Sequence, residues 1–354
     1  MEAETVSEIG AQMRPMMRGL SQNANQSDML AQGNSFVRQF PPQAALTIAS
    51  ALSFANPFFL PDVPPQAARD LSLTLDNFAE LTMRAKLTAQ RASQPNILVA
   101  CAPKSASTFL QAALQQALGL HNACLFTATL DWASAAALGA NLREQEPDEL
   151  SLIRNGLNGR GYVAQHHARC SPYLARMLTL YNVRPIVTHR NLFDTIVSMD
   201  DMVMQWRASP ASGQYGYFND GLPGAYERLE RADRLLILAQ RWTPWLVQFY
   251  VTWKKCERLG LTKPLWISYE DDFLGDKQVL AARIADFIGH EFADPVGIAA
   301  ALEDRSEGKA RRLNKGVAGR GKDMPTEVRD YILSAAGFYR EDEDLTPLIG
   351  HDLG

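Results

Sequence analysis

Short apolar runs alternate with longer amphipathic segments along most of the chain after Pro95. The runs are "NILVACA" (96–102), "GYVAQ" (161–165), "RPIVTHR" (184–190) and "PLWISYE" (264–270). Runs of this length, rich in branched apolar residues, are typical of strands buried on both faces of a sheet. Segments with helical spacing of apolar residues lie between or after them. The alternation predicts an α/β fold with a central parallel β-sheet flanked by helices.

The predicted helices have recognisable ends. "TFLQAALQQALGL" (108–120) is predicted to end at Gly119, because glycine commonly terminates helices. Further helices are predicted at 171–181, 191–206, 230–259 and 276–289. The segment "WTPWLVQFYVTWKK" lies inside the long helix at 230–259, so we expect its aromatic residues to pack in the core.

The first 94 residues differ from the rest. Residues 1–34 are rich in Gln, Asn, Ser and Met without sustained periodicity, and we expect them to be flexible or to form loosely held helices. Residues 35–94 are predicted to form a helical extension of the main domain, residues 95–354. An apolar stripe at helical spacing within it consists of Leu71, Leu75, Phe78 and Leu81. We expect this stripe to pack against the main domain rather than to bind a partner.

Composition narrows the classes of protein that this chain can be. The 354 residues are 46% hydrophobic, enough for a large core, and the formal net charge of −4 gives no bulk attraction to nucleic acid or anionic membranes. We expect no membrane span and no signal peptide, because neither a long uncharged apolar run nor a cleavage pattern is present. The cysteines are Cys101, Cys124, Cys170 and Cys256. Their wide spacing favours reduced thiols in a cytoplasmic protein over disulfides or a zinc site.

The turn after the first predicted strand carries candidate chemistry. In "PKSASTFL" (103–110), small residues surround Lys104 just before a helix. A strand-to-helix turn directs free backbone N–H groups at an anion, and Lys104 adds a positive charge. The segment lacks both glycines of G-x-x-x-x-G-K-[ST] and its lysine comes early, which disfavours a nucleoside triphosphatase. Both a phosphate cradle and an ordinary turn remain open for this segment alone.

Together with three later segments, this turn resembles the sulfotransferase family. "PKSASTFL" resembles the family's 5′-phosphosulfate loop, P-K-[ST]-G-[ST]-[ST]-[WF]-L, with Ala106 replacing the glycine. "VTHRNLFDTIVSM" (187–199) resembles the 3′-phosphate motif. Its matching positions are Arg190, Asn191, Asp194 and Ser198. "ISYEDDFLGDKQVLAARIADFIG" (267–289) resembles the Tyr-Glu-Asp-Leu segment. "NKGVAGRGK" (314–322) resembles the Arg-Lys-Gly loop, with Asn314 where arginine is usual.

The resemblance spans about residues 95–325 and implies a P-loop NTPase-like sulfotransferase fold. It implies 3′-phosphoadenosine 5′-phosphosulfate as the sulfuryl donor and 3′-phosphoadenosine 5′-phosphate as the product. We expect no metal, because Lys and Arg side chains would already neutralise the two phosphates. The implied nucleotide-binding residues are Lys104, Ser105, Ala106, Ser107, Thr108, Phe109, Arg190, Ser198, Tyr269, Lys315 and Gly316. Phe109 takes the place of the aromatic that stacks on adenine. Lys104 is expected to stabilise charge on the leaving phosphate as well.

A hydroxyl acceptor requires a general base, usually histidine. By the resemblance, Gln165-His166-His167 takes the place of a Lys-Thr-His triplet, and His167 is then the base. The usual lysine and following proline are absent, so His166 stays open as the alternative. Two alternatives for the same residues stay open: a hydrogen-bonded histidine pair with a structural role, and a metal site that includes His189.

Two other function classes stay open. A P-loop-type nucleotide kinase would need magnesium and an acidic residue after a second strand, where this chain has Arg190. A non-catalytic nucleotide-binding protein would account for the departures from the family pattern.

We expect a small-molecule or carbohydrate hydroxyl as acceptor. The loop at 207–227 is expected to be a lid or substrate rim, and Asp200 and Asp201 to be solvated or capping residues. The first 90 residues could cover the sheet, form a homodimer contact or line the acceptor site.

Overall fold

A five-stranded, all-parallel sheet forms the centre of the fold, with strand order β2-β3-β1-β4-β5. The structure is a computed structural model that describes residues 13, 15–16, 25–55, 59–62, 74–125, 145–157, 159–208, 222–304 and 317–350. The strands are β1 (Asn96–Cys101), β2 (His121–Ala123), β3 (Tyr162–His166), β4 (Val183–His189) and β5 (Leu265–Ser268). The predicted α/β class, with a parallel sheet flanked by helices, is therefore confirmed.

Helices precede the sheet and connect its strands. In chain order they are α1 (Gln26–Val37), α2 (Pro42–Ala55), α3 (Leu75–Arg91), α4 (Ser107–Leu118), α5 (Glu149–Gly156), α6 (Pro172–Leu180), α7 (Leu192–Arg207), α8 (Arg231–Arg258), α9 (Lys277–Ile288), α10 (Pro295–Glu303), α11 (Thr326–Gly337) and α12 (Thr346–Ile349). A 3₁₀ turn, Tyr226–Arg228, and a π-helical turn, Tyr269–Phe273, lie before α8 and after β5. Within the described ranges, no helix combines the length and apolar character needed to cross a membrane.

Capping residues explain several helix ends. The Ser171 hydroxyl accepts a hydrogen bond from the Leu174 N–H at 3.1 Å, and Pro172 follows it in the first turn of α6. The Asp276 carboxylate caps α9 by accepting from the Gln278 N–H at 2.7 Å. Gly119 ends α4 with φ of +63°, as its sequence position predicts.

The strand order creates a crevice beside β1. The chain leaves β1 toward β2 and β3 on one side and then crosses to β4 and β5 on the other. Ala100 of β1 pairs with both His166 of β3 and Val187 of β4, so these three strands end level with one another. Ligands of open α/β sheets bind at such switch points, outside the carboxyl ends of the strands.

Apolar clusters cover both faces of the sheet. Leu98 and Ala100 of β1 pack on the face covered by α6, α7, α8 and α11, while Ile97 and Val99 pack on the face covered by α4, α9 and α10. This alternation follows from the two-residue period of a strand. The α8 aromatic residues are buried, as expected: Trp242, Trp245, Phe249, Tyr250 and Trp253.

The N-terminal extension has an apolar cluster of its own. Met29 of α1 packs with Ile48 and Leu52 of α2 and with Phe59. The predicted boundary between residues 34 and 35 falls inside α1. Residues 1–12 and 17–24 lie outside the described residues.

The expectation that the apolar stripe of the extension packs against the main domain is wrong for its described part. Leu75, Phe78 and Leu81 of α3 are 81%, 57% and 55% exposed, and Leu71 lies outside the described residues. The helix docks instead through small side chains in its second half. Ala89 is fully buried, and a Cβ added at Gly156 of α5 would lie 2.9 Å from the Ala89 Cβ. Because α3 approaches the main domain closely only at these small residues, its first half extends past the surface on which its second half packs.

Candidate active site

The loop between β1 and α4, residues 102–106, has an unusual backbone. Lys104 and Ala106 have φ of +68° and +61°, the left-handed region that favours glycine. Alternating left- and right-handed residues turn successive N–H groups toward one concave side, which binds anions. The N-terminus of α4 directly follows and adds its own unsatisfied N–H groups. Lys104 and Ala106 therefore give the loop a tight left-handed turn directly before α4.

The serine hydroxyls of this loop are bonded to neighbouring strands. Ser105 Oγ donates to the Ala102 carbonyl at 2.5 Å and lies 2.7 Å from Thr188 Oγ1 of β4. Ser107 Oγ accepts from Gln165 Nε2 of β3 at 2.9 Å. These bonds fix the loop against the strands on either side of β1. Thr108, half-buried, follows in the first turn of α4.

Lys104 is a half-buried amine in a positively charged neighbourhood. Its pKa is lowered to about 8, first by burial and then by the charges of Arg190 and Arg320, while Asp201 acts in the opposite direction. Arg320 is held in place by an ion pair with Asp201, with Nη2 and Oδ2 2.5 Å apart. A negative charge placed here would relieve the repulsion among these cations.

Arg190 directly follows β4 and is only 4% exposed. Its Nη1 donates to the Lys104 carbonyl at 3.0 Å and its Nη2 to the Val317 carbonyl at 3.2 Å. The guanidinium lies over the Tyr269 ring, 4.0 Å from its centroid. Its buried Nε has no hydrogen-bond partner among the described residues, and carboxylate oxygens of Asp194 and Glu270 lie 3.7 and 3.9 Å from Nη2 and Nε. The two predicted phosphate-binding segments thus meet at Arg190.

Asp194 joins the start of α7 to the C-terminal loop. Its carboxylate accepts from the N–H of Gly319 at 2.7 Å and from the N–H of Gly321 at 2.8 Å. The approach is close, since a Cβ at Gly321 would lie 2.3 Å from the Phe193 Cβ. These contacts bring residues 317–321 to the site. The predicted residues Lys315, Gly316 and Asn314 lie outside the described residues.

The aromatic residues of the site form a layered stack below Arg190. The Tyr269 ring stacks on Phe273 with centroids 5.6 Å apart, and Phe109 meets Phe273 edge-on at 5.5 Å. Phe109 is 4% exposed and belongs to the core cluster on the α4 and α9 side of the sheet. Ser198, on α7, is completely buried. Burial raises the pKa of the Tyr269 hydroxyl, so it stays protonated near neutral pH.

His166, the last residue of β3, has a structural contact. Its Nε2 accepts a hydrogen bond from the Leu125 N–H at 2.9 Å. Burial and the neighbouring His167 lower its pKa to about 3, so the ring is neutral. Because the Nε2 lone pair is engaged by a backbone N–H, His166 is poorly suited to accept a proton from a substrate there.

His167 is held with one ring nitrogen engaged. Its Nδ1 lies 2.8 Å from the Cys101 carbonyl oxygen, which requires Nδ1 to carry the hydrogen. Its backbone N–H donates to Gln145 Oε1 at 2.8 Å, and the edge of its ring meets Trp245 of α8. Burial lowers the pKa of His167, but the charge and hydrogen bonds of Cys101 raise it more, so the net shift is upward. Nε2 is left as the proton-accepting atom of the ring.

His189, which ends β4, points into a different environment. Its ring contacts Tyr250 and Trp266 with centroid distances of 5.5 and 5.9 Å. Burial, and then Lys254, lower its pKa to about 4. Among the residues that the structure describes, no group of three or more His, Cys, Asp or Glu side chains could hold a metal ion.

The structure also adds residues that the sequence analysis did not assign to a site. The expectation that Asp200 is solvated is wrong: it is 4% exposed and accepts from Arg234 Nε at 2.9 Å and from the Tyr226 hydroxyl at 2.8 Å. Helical spacing from Phe193 and Ile196 places Asp200 on the buried face of α7, a signal available in the sequence. Arg320 and Cys101 are further additions, since no motif singled them out.

Three neighbouring strands end at the same edge of the sheet: the turn with Lys104 follows β1, His167 follows β3 and the buried guanidinium of Arg190 follows β4. Of the other predicted binding residues, Ser105, Ser107 and Phe109 make internal contacts, and Tyr269 lies against Arg190. Scans against models of protein families and against curated proteins found no match to this sequence.

Proposed function

We propose that this chain is a sulfotransferase that transfers a sulfuryl group from 3′-phosphoadenosine 5′-phosphosulfate to a hydroxyl group. The observation that carries the proposal is the contact between the two predicted phosphate-binding segments, where Arg190 Nη1 donates to the Lys104 carbonyl at 3.0 Å. His167 ends the neighbouring strand at the same edge of the sheet. The resemblance of four segments, in order, to sulfotransferase motifs supports the same function.

The residues present fit a ligand with two phosphate-like groups. The turn at 102–106 has left-handed residues at Lys104 and Ala106, a backbone form that can direct N–H groups at an anion, and it carries the Lys104 amine. Arg190 retains a buried Nε that lacks a hydrogen-bond partner, and buried donors of this kind require an acceptor. We propose that the turn holds the 5′ end of the nucleotide and that Arg190, with the loop beginning at Val317, holds the 3′ end. Ser198 is completely buried and would not contact the nucleotide in this structure.

When bound, the nucleotide would supply the sulfuryl group and a phosphate as the leaving group. Lys104 would place a positive charge at the turn where negative charge develops on that phosphate. A single positioned donor of this kind typically contributes about 10²- to 10³-fold in rate. The brace formed by Ser105 and Thr188 keeps the turn in place, so that little reorganisation is needed during the reaction.

His167 would act as the general base. With Nδ1–H bonded to the Cys101 carbonyl, Nε2 accepts the proton of the acceptor hydroxyl as its oxygen attacks the sulfur. The Trp245 ring shields one side of the imidazole from water. The proposed acceptor class is a small molecule or carbohydrate that presents a hydroxyl group.

Calorimetric titration with 3′-phosphoadenosine 5′-phosphate, without metal, tests the proposal. We expect micromolar binding by the native chain and its loss in Lys104→Ala and Arg190→Ala. Matched controls are Lys86→Ala on α3 and Arg258→Ala on α8, which remove cations from ion pairs with Glu149 and Glu343. Both controls should bind like the native chain, and circular dichroism should show that every variant is folded.

Two outcomes would contradict the proposal. Binding of ATP that depends on magnesium, with none of 3′-phosphoadenosine 5′-phosphate, would favour a nucleotide kinase. Tight binding of the phosphosulfate with no transfer to any hydroxyl in a broad acceptor panel would favour a non-catalytic nucleotide-binding protein.

A further inference from the structure

Cys101 and His167 meet where β1 and β3 end. The two strands pair with Ala100 opposite His166, so the residues that follow face each other. His167 Nδ1 lies 2.8 Å from the Cys101 carbonyl oxygen and 3.3 Å from its Sγ. Cys101 is fully buried and His167 is 8% exposed. One N–H group therefore faces both acceptors of a single residue.

The Cys101 thiol has an acceptor and several donors around it, and its Sγ donates to the His166 carbonyl oxygen at 3.5 Å. Gln165 Nε2 lies 3.6 Å from Sγ and also donates to Ser107 Oγ at 2.9 Å. Because Ser107 Oγ accepts that bond, its own hydrogen is available to the sulfur. Ser107 begins α4, whose N-terminus favours negative charge nearby. These donors stabilise negative charge on the sulfur, whereas the His166 carbonyl favours the protonated thiol.

We propose that Cys101 is a positioning residue for His167, an inference that rests on the proposed function. Its carbonyl and thiol together hold Nδ1–H, so that the Nε2 lone pair is directed to the acceptor hydroxyl. During transfer the hydroxyl proton moves to Nε2 while Nδ1 keeps its hydrogen, and the sulfur stabilises the imidazolium that forms. The arrangement parallels the carboxylate that orients histidine in a catalytic triad.

The electrostatics of the pair agree with this role. Burial raises the pKa of the Cys101 thiol, but the charge and hydrogen bond of His167, with the bonds from Ser107 and Gln165, lower it more. His167 shifts in the opposite direction, upward, because of Cys101. The neighbouring titratable group is His166, whose pKa is about 3, while Trp245 of α8 and Gln145 carry no charge. Cys101 is therefore the group that raises the pKa of His167 against the effect of burial.

Nuclear magnetic resonance of the full chain labelled with ¹⁵N-histidine tests the inference. His167→Gln assigns the His167 signals, and Cys101→Ser, Cys101→Ala and the control Cys256→Ser are then compared. In the native chain we expect the Nδ1–H tautomer and a titration midpoint above that of a free histidine. Cys101→Ser, which keeps a hydrogen-bonding group but cannot ionise in this range, should move the midpoint to lower pH. Cys101→Ala should do the same, and Cys256→Ser, in another buried cysteine, should not.

Specific results would overturn the inference. The Nε2–H tautomer in the native chain would refute it, even if no variant folds. An unchanged midpoint in folded Cys101→Ser and Cys101→Ala would refute it as well. Neither readout needs nucleotide or acceptor. A shifted midpoint in a chain that binds no 3′-phosphoadenosine 5′-phosphate would therefore fail the proposed function alone, and nucleotide binding with an unchanged midpoint would fail this inference alone.

Discussion

Ala106 keeps a backbone conformation that its side chain disfavours. Its φ of +61° costs an alanine about 1–2 kcal/mol relative to glycine. Glycine, however, gives the unfolded chain extra freedom worth about 0.4–1 kcal/mol. We expect Ala106→Gly to raise the free energy of unfolding by about 0.5 kcal/mol, the difference between these effects. Urea denaturation measures it.

Ala117 provides the control for this prediction. It is half-buried within α4, where glycine costs about 1 kcal/mol relative to alanine. Ala117→Gly should therefore lower the free energy of unfolding while Ala106→Gly raises it. Equal losses in the two variants would mean that residue 106 is not strained.

Lys104 should make nucleotide affinity depend on pH. Its pKa is lowered to about 8, mainly by burial, so the amine loses its charge above that pH. A bound phosphate favours the charged amine, and binding above pH 8 must then take up a proton. We expect the affinity for 3′-phosphoadenosine 5′-phosphate to fall by up to about tenfold per pH unit above pH 8. Lys104→Met should bind weakly at every pH, and equally steep curves for both proteins would contradict the assignment.

The lowered pKa of Lys104 also makes the free energy of unfolding depend on pH. The unfolded chain keeps the ordinary lysine pKa of 10.5, so it binds more protons than the folded chain between pH 8 and 10.5. The contribution of Lys104 to the free energy of unfolding therefore rises with pH across that window. Thermal unfolding of the native and Lys104→Met chains at pH 7.5 and 9.5 tests this. The difference between their melting temperatures should be smaller at pH 9.5.

Among the secondary-structure elements, the apolar runs in the sequence predicted four of the strands but not the short strand β2. β1, β3, β4 and β5 lie at the predicted runs, because the first three are almost entirely buried and β5 is buried in its second half. β2 was not predicted, since it has three residues and two of them are exposed. Its place in the sheet depends on pairing with β3, a long-range contact that no local pattern encodes.

Some residues of the candidate site were likewise predicted from the sequence, and others were not. Lys104, Arg190 and His167 were predicted because they stand at the ends of apolar runs, where motifs could be matched. The Cys101 contact with His167 was not predicted, because it depends on the register between β1 and β3. The exposure of Phe78 was mispredicted for a related reason: periodicity shows which residues share a helix face, and not how far along the helix that face is covered.

Gly321 decides how closely the C-terminal loop approaches α7. A Cβ there would lie 2.3 Å from the Phe193 Cβ and 2.8 Å from its backbone carbon, so the loop would have to move. We expect Gly321→Ala to weaken the Asp194 bonds to this loop. Stability should fall by about 1–3 kcal/mol, as for overpacking of a core. Hydrogen exchange at Gly319 and residue 321 should accelerate, and nucleotide affinity should fall.

Gly337, the last residue of α11, is the matched control, because a Cβ there would contact nothing within 4 Å. Gly337→Ala should leave hydrogen exchange at Gly319 unchanged. It should stabilise the chain by up to about 1 kcal/mol, since alanine is the better helix former. A Gly321→Ala variant that behaves in the same way would show that the loop does not depend on this close approach.

For the whole molecule, the sheet and the extension are separate sources of stability. The clusters on the two faces of the sheet consist of residues from Ala89 onward, while Met29, Ile48, Leu52 and Phe59 form the cluster of the extension. The site lies at the switch point of the sheet, between β3, β1 and β4. Its described polar contacts come from the sheet, the helices that follow β1 and β4, and the loop from Val317. Folding of the site should therefore depend on the sheet and not on α1 or α2.

Removal of residues 1–73 tests this separation, because it deletes α1 and α2 and leaves α3 in place. We expect the melting temperature of the shortened chain to stay within about 4 °C, corresponding to roughly 1 kcal/mol. Nucleotide affinity should be unchanged.

A second truncation that starts at Ala92 also removes Ala89, which packs on Gly156, and the Lys86 ion pair with Glu149. Its melting temperature should fall further. Sedimentation of the full and shortened chains tests the homodimer expectation in the same experiment. A shortened chain that unfolds or loses nucleotide binding would place α1 and α2 among the supports of the site.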